Sequence, residues 1–280
     1  MPTLIDVWAT VRHLLIGLLV LAFVTMPWSV VAGANLHLSP RVPWAIPIGL
    51  IYLGLAVAYL SGRGRPATTA GVRRSRFRAR WLTGAESFWS LLAGVSAIAC
   101  LWLLFAAFGG LGGETPPGRE ATLPAAVLFM FVVVSSAATA IGEEGGLRGF
   151  MQAPLERRFG PTAAIAASTV AFVLIHATHG IPALVRAAPI YAAAGVVYGL
   201  LSYLTQSILP ALALHFLGDV VAFGLRSSLI HLSGPRTAPA VALSIAGAIV
   251  ASGIAILAFG RLRAVSATTR ISRLSDPDAA

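Results

Sequence analysis

The stretch IGEEGGLRGF, residues 141–150, sets two glutamates side by side at the end of a long apolar run, with Gly145, Gly146 and Arg148 just behind them. Adjacent residues of an α-helix point about 100° apart, so the two carboxylates cannot have the same role. Glu144 and Arg148 are four residues apart, which suits an ion pair on one helix face. Glu143 is left without a local partner. A carboxylate in a partly dry site with an imidazole nearby can accept a proton from water near neutral pH. On this reading Glu143 is a general base facing histidines, and Glu144 with Arg148 is a structural pair.

Two histidines sit in the same kind of setting. His176 closes the run AFVLIH, and His215 lies inside ILPALALHFLGDVVAF. His215 and Asp219 are four residues apart and share a helix face, as do Phe172 and His176. Glu143, Glu144 and Asp219 are the acidic residues expected at membrane depth, where an ionised side chain costs about 2.5–3.5 kcal/mol even on a lenient insertion scale. Three helices would each carry a polar or aromatic stripe one turn long, and in lipid such stripes turn inward toward one another. The competing reading leaves Glu143 and Glu144 within reach of water at a span end, with Asp219 bonded to nearby backbone. A single buried histidine is ordinarily structural; two in this company argue for a polar cluster inside the bundle.

The elements that must position these residues follow from composition. The chain has 280 residues, 57% of them hydrophobic and 11% charged, with a mean hydropathy of +0.84. These values point to an all-α, polytopic membrane bundle. Crossing a hydrocarbon core takes about 20 helical residues. Spans are predicted near 13–33, 42–61, 87–109, 122–142, 160–178, 188–205, 207–225 and 239–260, about eight in all, with a break or re-entrant turn around 176–190. A single membrane domain, 1–280, would contain a catalytic core at 122–225 and end in a mobile cytoplasmic tail, 261–280. Ala32, Gly33 and Ala34 resemble a signal-peptide cleavage site, but the apolar run before them is long, which favours an uncleaved first span.

Every Lys or Arg position is Arg, and seven of them lie in GRGRPATTAGVRRSRFRAR, 62–80. Cytoplasmic loops carry the excess of basic residues. Placing 62–80 inside puts Arg148, Arg157, Arg158 and the tail arginines on the same side, both termini in the cytoplasm, and the chain in the cell inner (cytoplasmic) membrane. The net charge of +10 does not form a soluble basic face, so nucleic acid is not expected as a partner. The arginines hug span ends and would anchor the chain against anionic lipid of the bilayer. Cys100 is alone in a span, where it packs. Gly195 and Gly199 have the spacing that lets a neighbouring helix approach closely.

Read in order, EEGGLRGF fits EExxxR, AFVLIH fits FxxxH, and HFLGD fits Hxxx(N/D). Together, and with the approach TQSILPALALH, they resemble the CPBP family of intramembrane proteases. That family includes the CAAX-prenyl endopeptidases and the bacterial Abi proteins linked to bacteriocin processing and self-immunity. The resemblance spans 122–225. It implies hydrolysis of a peptide or membrane-protein substrate within the bilayer by a glutamate-activated water, without an acyl-enzyme. It also implies roles by position: Glu143 activates water with Glu144 assisting, His176 orients or shares the proton, and His215 helps hold the oxyanion. Arg148 would brace the glutamates and Phe172 would pack beside them.

Asp219 stands where the CAAX enzymes have Asn. An amide can donate to an oxyanion, whereas an ionised carboxylate repels it. Asp219 is therefore either protonated or, as its one-turn spacing favours, a residue that orients His215. No cofactor is expected and no HExxH zinc motif is present; were the chain metal-dependent, His176, His215 and Glu143 would be the ligands. His179 reads as a span-end residue, and His13, His37 and His231 have no assigned role.

Other intramembrane protease classes fail on inventory. A two-aspartate protease needs a second membrane-depth Asp. A serine protease needs a nucleophile in a tight Gly-flanked turn, whereas Ser135 and Ser136 sit in VVVSSAATA, a plain helix. The alternatives that stand are a non-catalytic membrane scaffold or bacteriocin immunity protein and, less well supported, a transporter.

Overall fold

The computed structural model describes residues 4–39, 42–108, 123–226 and 237–275. Those residues form helices α1 (Leu4–Leu38), α2 (Ala45–Leu60), α3 (Ala70–Phe77), α4 (Gly84–Ala107), α5 (Ala125–Glu143), α6 (Ala153–Ile175), α7 (Ile181–Thr205), α8 (Leu209–Arg226) and α9 (Ala238–Ser275). A π-helical segment, Glu144–Gln152, joins α5 to α6 without a loop. Among the described residues there is no strand, and the fold is the expected helical membrane bundle.

Five stretches are long and apolar enough to cross a bilayer, one of them the 54 residues from Ala125 to Thr178 that hold both α5 and α6. Two shorter apolar helices, Ala45–Leu60 and Leu209–Leu225, fill the remaining expected positions. The predicted break falls at 176–179, a single 3₁₀ turn, followed by Gly180 at φ 93° before α7 begins. The chain is thus a multi-pass membrane protein.

Two expectations need correction. Of the tail predicted at 261–280, the described part, 261–275, is not a separate segment: α9 runs on to Ser275, and 276–280 lie outside the described residues. Leu262 and Ser266 are buried, and Arg270 donates to the carbonyls of Tyr203 and Leu204 at the end of α7. At 1.5 Å per residue a helix of this length outruns a core of about 30 Å, so its last turns stand beyond the apolar layer and still pack. The Arg-rich stretch 62–80 is not an open loop either. Arg73 is buried and donates to the carbonyls of Tyr59 at 2.7 Å, Arg63 at 3.0 Å and Pro66 at 3.1 Å. These bonds fold α3 back on the end of α2. They satisfy a buried guanidinium almost entirely with backbone oxygen, which a loop without acids can supply.

The same end of the bundle is locked by the chain after α3. Ile208 donates its backbone N–H to Arg78 O at 3.1 Å, and Ser207 Oγ donates to Arg80 O at 2.6 Å. Thr83 and Glu86 form a capping box that starts α4, and Glu86 also takes Arg80 at 2.8 Å. The start of α8, which carries His215, is therefore pinned through the segment between α3 and α4.

Candidate functional site

The site begins with the π-helical segment. In a π-helix the backbone bond reaches to i+5, a costly arrangement that occurs mostly where side chains must be re-aimed. Here glycines let the wider turn lie against its neighbours. A Cβ on Gly146 would stand 2.5 Å from Gly17 O of α1, and one on Gly149 would stand 2.8 Å from Arg76 O of α3. Backbone meets backbone at both places. Phe77 of α3, 2% exposed, fills the space over Gly145. The segment is held on two sides, and its side chains at Glu144, Arg148 and Gln152 are all fully buried.

Those side chains face α7 and α8. His215 Nδ1 lies 2.8 Å from Glu144 Oε1, and Arg148 Nη1 lies 3.3 Å from the same oxygen. The carboxylate oxygen can only accept, so the Nδ1 proton is on the imidazole. His215 Nε2 then points between Glu143 Oε2 at 3.9 Å and Asp219 Oδ2 at 3.6 Å. Glu143 Oε2 is buried and receives no hydrogen bond in the structure. One imidazole is thus surrounded by three carboxylates from two chain segments: it is bonded to Glu144 and stands off from Glu143 and Asp219.

Arg148 is anchored from the side opposite Glu144. It donates to Gly195 O at 3.1 Å, and its guanidinium lies 4.8 Å from the centre of the Phe172 ring and 5.6 Å from that of Tyr198. Tyr198 in turn stacks on His215, with centroids 5.1 Å apart and planes 14° from parallel. The Gly195/Gly199 pair does let α6 and α7 approach: added Cβ atoms would press on Thr169 and Ile165. It also exposes two carbonyls, one for Arg148 and the other for Gln152 at 2.9 Å.

Gln152, Tyr198 and Tyr191 were not singled out in the sequence. Gln152 extends the Glu144, Arg148 spacing by another four residues, and Glu156 extends it again. Gln152 Nε2 donates to Glu156 Oε1 at 2.9 Å, Ser168 Oγ donates to Gln152 Oε1 at 2.9 Å, and Glu156 pairs with Arg78 at 2.7 Å. A four-residue polar spacing running from α5 through α6 was the signal available. Tyr191 stacks on His176 with centroids 3.8 Å apart; nothing in its spacing set it off from an ordinary packing aromatic.

His176 is fixed differently from His215. Its Nδ1 is 2.7 Å from Phe172 O, and because a carbonyl only accepts, that nitrogen carries the proton and Nε2 is the basic one. The Phe172 ring lies edge-on to both imidazoles, 4.9 Å from His176 and 5.7 Å from His215. The predicted FxxxH pair is therefore in direct contact, and Phe172 links the two histidines. Among the described residues no group of three His, Cys, Asp or Glu side chains, the set His176, His215 and Glu143 included, is placed to hold a metal ion. Ser135 lies within regular α5 and accepts from Trp28 Nε1 at 3.1 Å. The side chain of His179 lies outside the described residues, as does His231.

Residues 124–221 match the family model described as Type II CAAX prenyl endopeptidase Rce1-like. That segment, about a third of the chain, is similar to the CAAX prenyl endopeptidases. It begins with α5 and includes every residue of the carboxylate and histidine cluster, and it lies within the stretch 122–225 read from three motifs. No curated protein and no solved structure matches the chain. The matched segment holds the π segment, α6, α7 and nearly all of α8; α1 and α3, which hold the π segment from behind, lie outside the match.

Proposed function

We propose that the protein is an intramembrane endopeptidase that hydrolyses a peptide or protein substrate with a glutamate-activated water. The observation that carries this reading is Glu143 Oε2: a buried carboxylate oxygen without a hydrogen-bond donor, 3.9 Å from an imidazole nitrogen, inside the Rce1-like segment. A water seated between them donates one proton to Glu143 while its oxygen attacks the scissile carbonyl. The carbonyl carbon becomes tetrahedral, and its oxygen takes the negative charge. His215, an imidazolium among three carboxylates and held through Nδ1 by Glu144, donates from Nε2 toward that oxygen. Glu143 then returns the proton to the leaving amine. His176, with Nε2 basic, shares the proton in transit. Asp219 holds the His215 ring in place rather than meeting the oxyanion, which suits its greater exposure, 18% against 5% for the imidazole.

The cleaved bond is reached from the cytoplasmic side of the inner membrane, with both termini inside. What supports this is the gathering of the α3 arginines, Arg157 and Arg270 at one end of the bundle, by the bonds from Arg78 to Glu156 and from Arg270 to the end of α7. The family's printed description is of prenyl endopeptidases; Asp219 in place of Asn argues that the substrate here need not be prenylated.

The test is cleavage of a library of quenched peptides by detergent-purified protein, with Glu143→Ala and His176→Ala alongside and a chelator in parallel. Cleavage lost in both variants and unchanged by the chelator supports the proposal. Equal cleavage by all three proteins points to a contaminant and to the scaffold reading, and loss on chelation points to a metal.

A further inference from the structure

Arg12, Arg76 and Arg157 come from three different elements, α1, α3 and the start of α6, and the packing already described brings these elements together. Arg12 lies just before Gly17, which packs on Met151 and Gly146; the Arg76 carbonyl rests on Gly149; and Arg157 follows Glu156, which is bonded to Arg78 of the chain leaving α3. Burial, then the nearby guanidinium groups of Arg12 and Arg157, hold Arg76 below its ordinary value. Among the described residues no ion pair joins any of the three to an acid, and Glu156, the neighbour of Arg157 in sequence, is already engaged by Arg78 and Gln152. His13, next to Arg12 in α1 and 8% exposed, has a buried Nδ1 without a hydrogen bond.

Three like charges on separate elements repel each other and would splay the helices that carry them. A folded structure tolerates that where a counter-anion is expected. Guanidinium groups are suited to phosphate, which they bind with paired N–H donors. The depth is also right: the apolar stretch of α1 begins at Thr10, so Arg12 stands where lipid headgroups lie.

We propose that Arg12, Arg76 and Arg157 form a binding site for a phosphate group at the membrane surface, where an anionic phospholipid headgroup presents it. By bridging α1, α3 and α6 the anion clamps the three elements that hold the π segment from behind. The proposal does not rest on proteolysis, and lipid binding is measured without it.

The experiment is native mass spectrometry of the full chain in detergent, titrated with phosphatidylglycerol or phosphatidylcholine, with inorganic phosphate as a separate arm. The wild type is expected to retain phosphatidylglycerol in preference to phosphatidylcholine. The Arg12→Gln/Arg76→Gln/Arg157→Gln variant should lose that preference, by about fivefold for each arginine removed. Arg12→Gln/Arg157→Gln changes only exposed side chains and serves if the triple variant does not fold. A control of equal charge, Arg65→Gln/Arg261→Gln/Arg263→Gln, should keep the preference. Equal loss in the control means diffuse attraction and overturns the site, as does a wild type with no preference and no response to phosphate. Displacement of the lipid by millimolar inorganic phosphate, absent in the triple variant, supports the site and makes free phosphate its source.

Discussion

His215 and Glu144 meet at 2.8 Å across 71 positions of sequence, imidazole Nδ1 on carboxylate Oε1, while the neighbouring Glu143 stands 3.9 Å from the other ring nitrogen. Adjacent glutamates thus reach opposite nitrogens of one imidazole. Glu144 is tied through Oε1 by its hydrogen bond to His215 and its ion pair with Arg148, whereas Glu143 Oε2 has no donor and stands free to face a substrate water.

That division separates the two glutamates experimentally. Glu144→Gln leaves the fully buried Arg148 without an anionic partner and should destabilise the protein by about 3–5 kcal/mol. Glu143→Gln, which breaks no hydrogen bond at Oε2, should cost clearly less, about 1 kcal/mol or under. Denaturation in detergent, followed by helix signal, compares them; equal destabilisation would remove the distinction.

Gln152 is expected to matter to folding more than a lone buried amide would. Gln152→Ala removes the amide that donates to Gly199 O and Glu156 Oε1 and accepts from Ser168 Oγ, which keeps Ile165 O, and should cost about 1–3 kcal/mol. Gln152→Glu should also fail, since an anion cannot donate to Gly199 O. The same denaturation assay reads both.

Close backbone packing behind the π segment gives a sharper contrast. Gly146→Ala would set a methyl 2.5 Å from Gly17 O, a backbone atom that cannot swing aside, whereas Gly253 has nothing within 4 Å of the added atom. Gly146→Ala should lose folded protein, at a cost of about 1–3 kcal/mol or more. Gly253→Ala should express like wild type, as size-exclusion profiles of the two would reveal.

Tyr191 is expected to position His176. Tyr191→Phe preserves the stacked ring and should keep peptide cleavage near wild type. Tyr191→Ala removes a stacking interaction of about 0.5–1.5 kcal/mol and should slow turnover about threefold to tenfold at unchanged KM. Steady-state kinetics on one quenched peptide decides it, and equal loss in both variants would mean that the hydroxyl matters instead.

Much of the bundle was legible because apolar runs of span length are the strongest signal a membrane sequence carries, and all eight expected positions hold helices. The cluster was legible for a related reason: three carboxylates and the His215 imidazole at membrane depth find one another, with His176 joined to them through the Phe172 ring. The π-helical turn at Glu144–Gln152 was not legible, since Gly145, Gly146 and Gly149 advertise close approach without saying that the backbone rewinds to provide it. Nor was the helical course of 261–275, where polar composition suggested a tail but burial of Leu262 against the bundle and the Arg270 bonds keep the helix going. Gln152 was overlooked because an amide in a helix draws no notice until its four-residue spacing from Arg148 is followed.

The most direct measurement of the central claim is the cleavage rate constant of Glu143→Gln against wild type on one identified peptide, at equal folded protein. If Glu143 takes the proton from water, the amide should lower the rate by about 10²–10⁴ while KM and the melting transition stay in place. A Glu143→Gln protein that cleaves at the wild-type rate would contradict the account, whatever the other variants do.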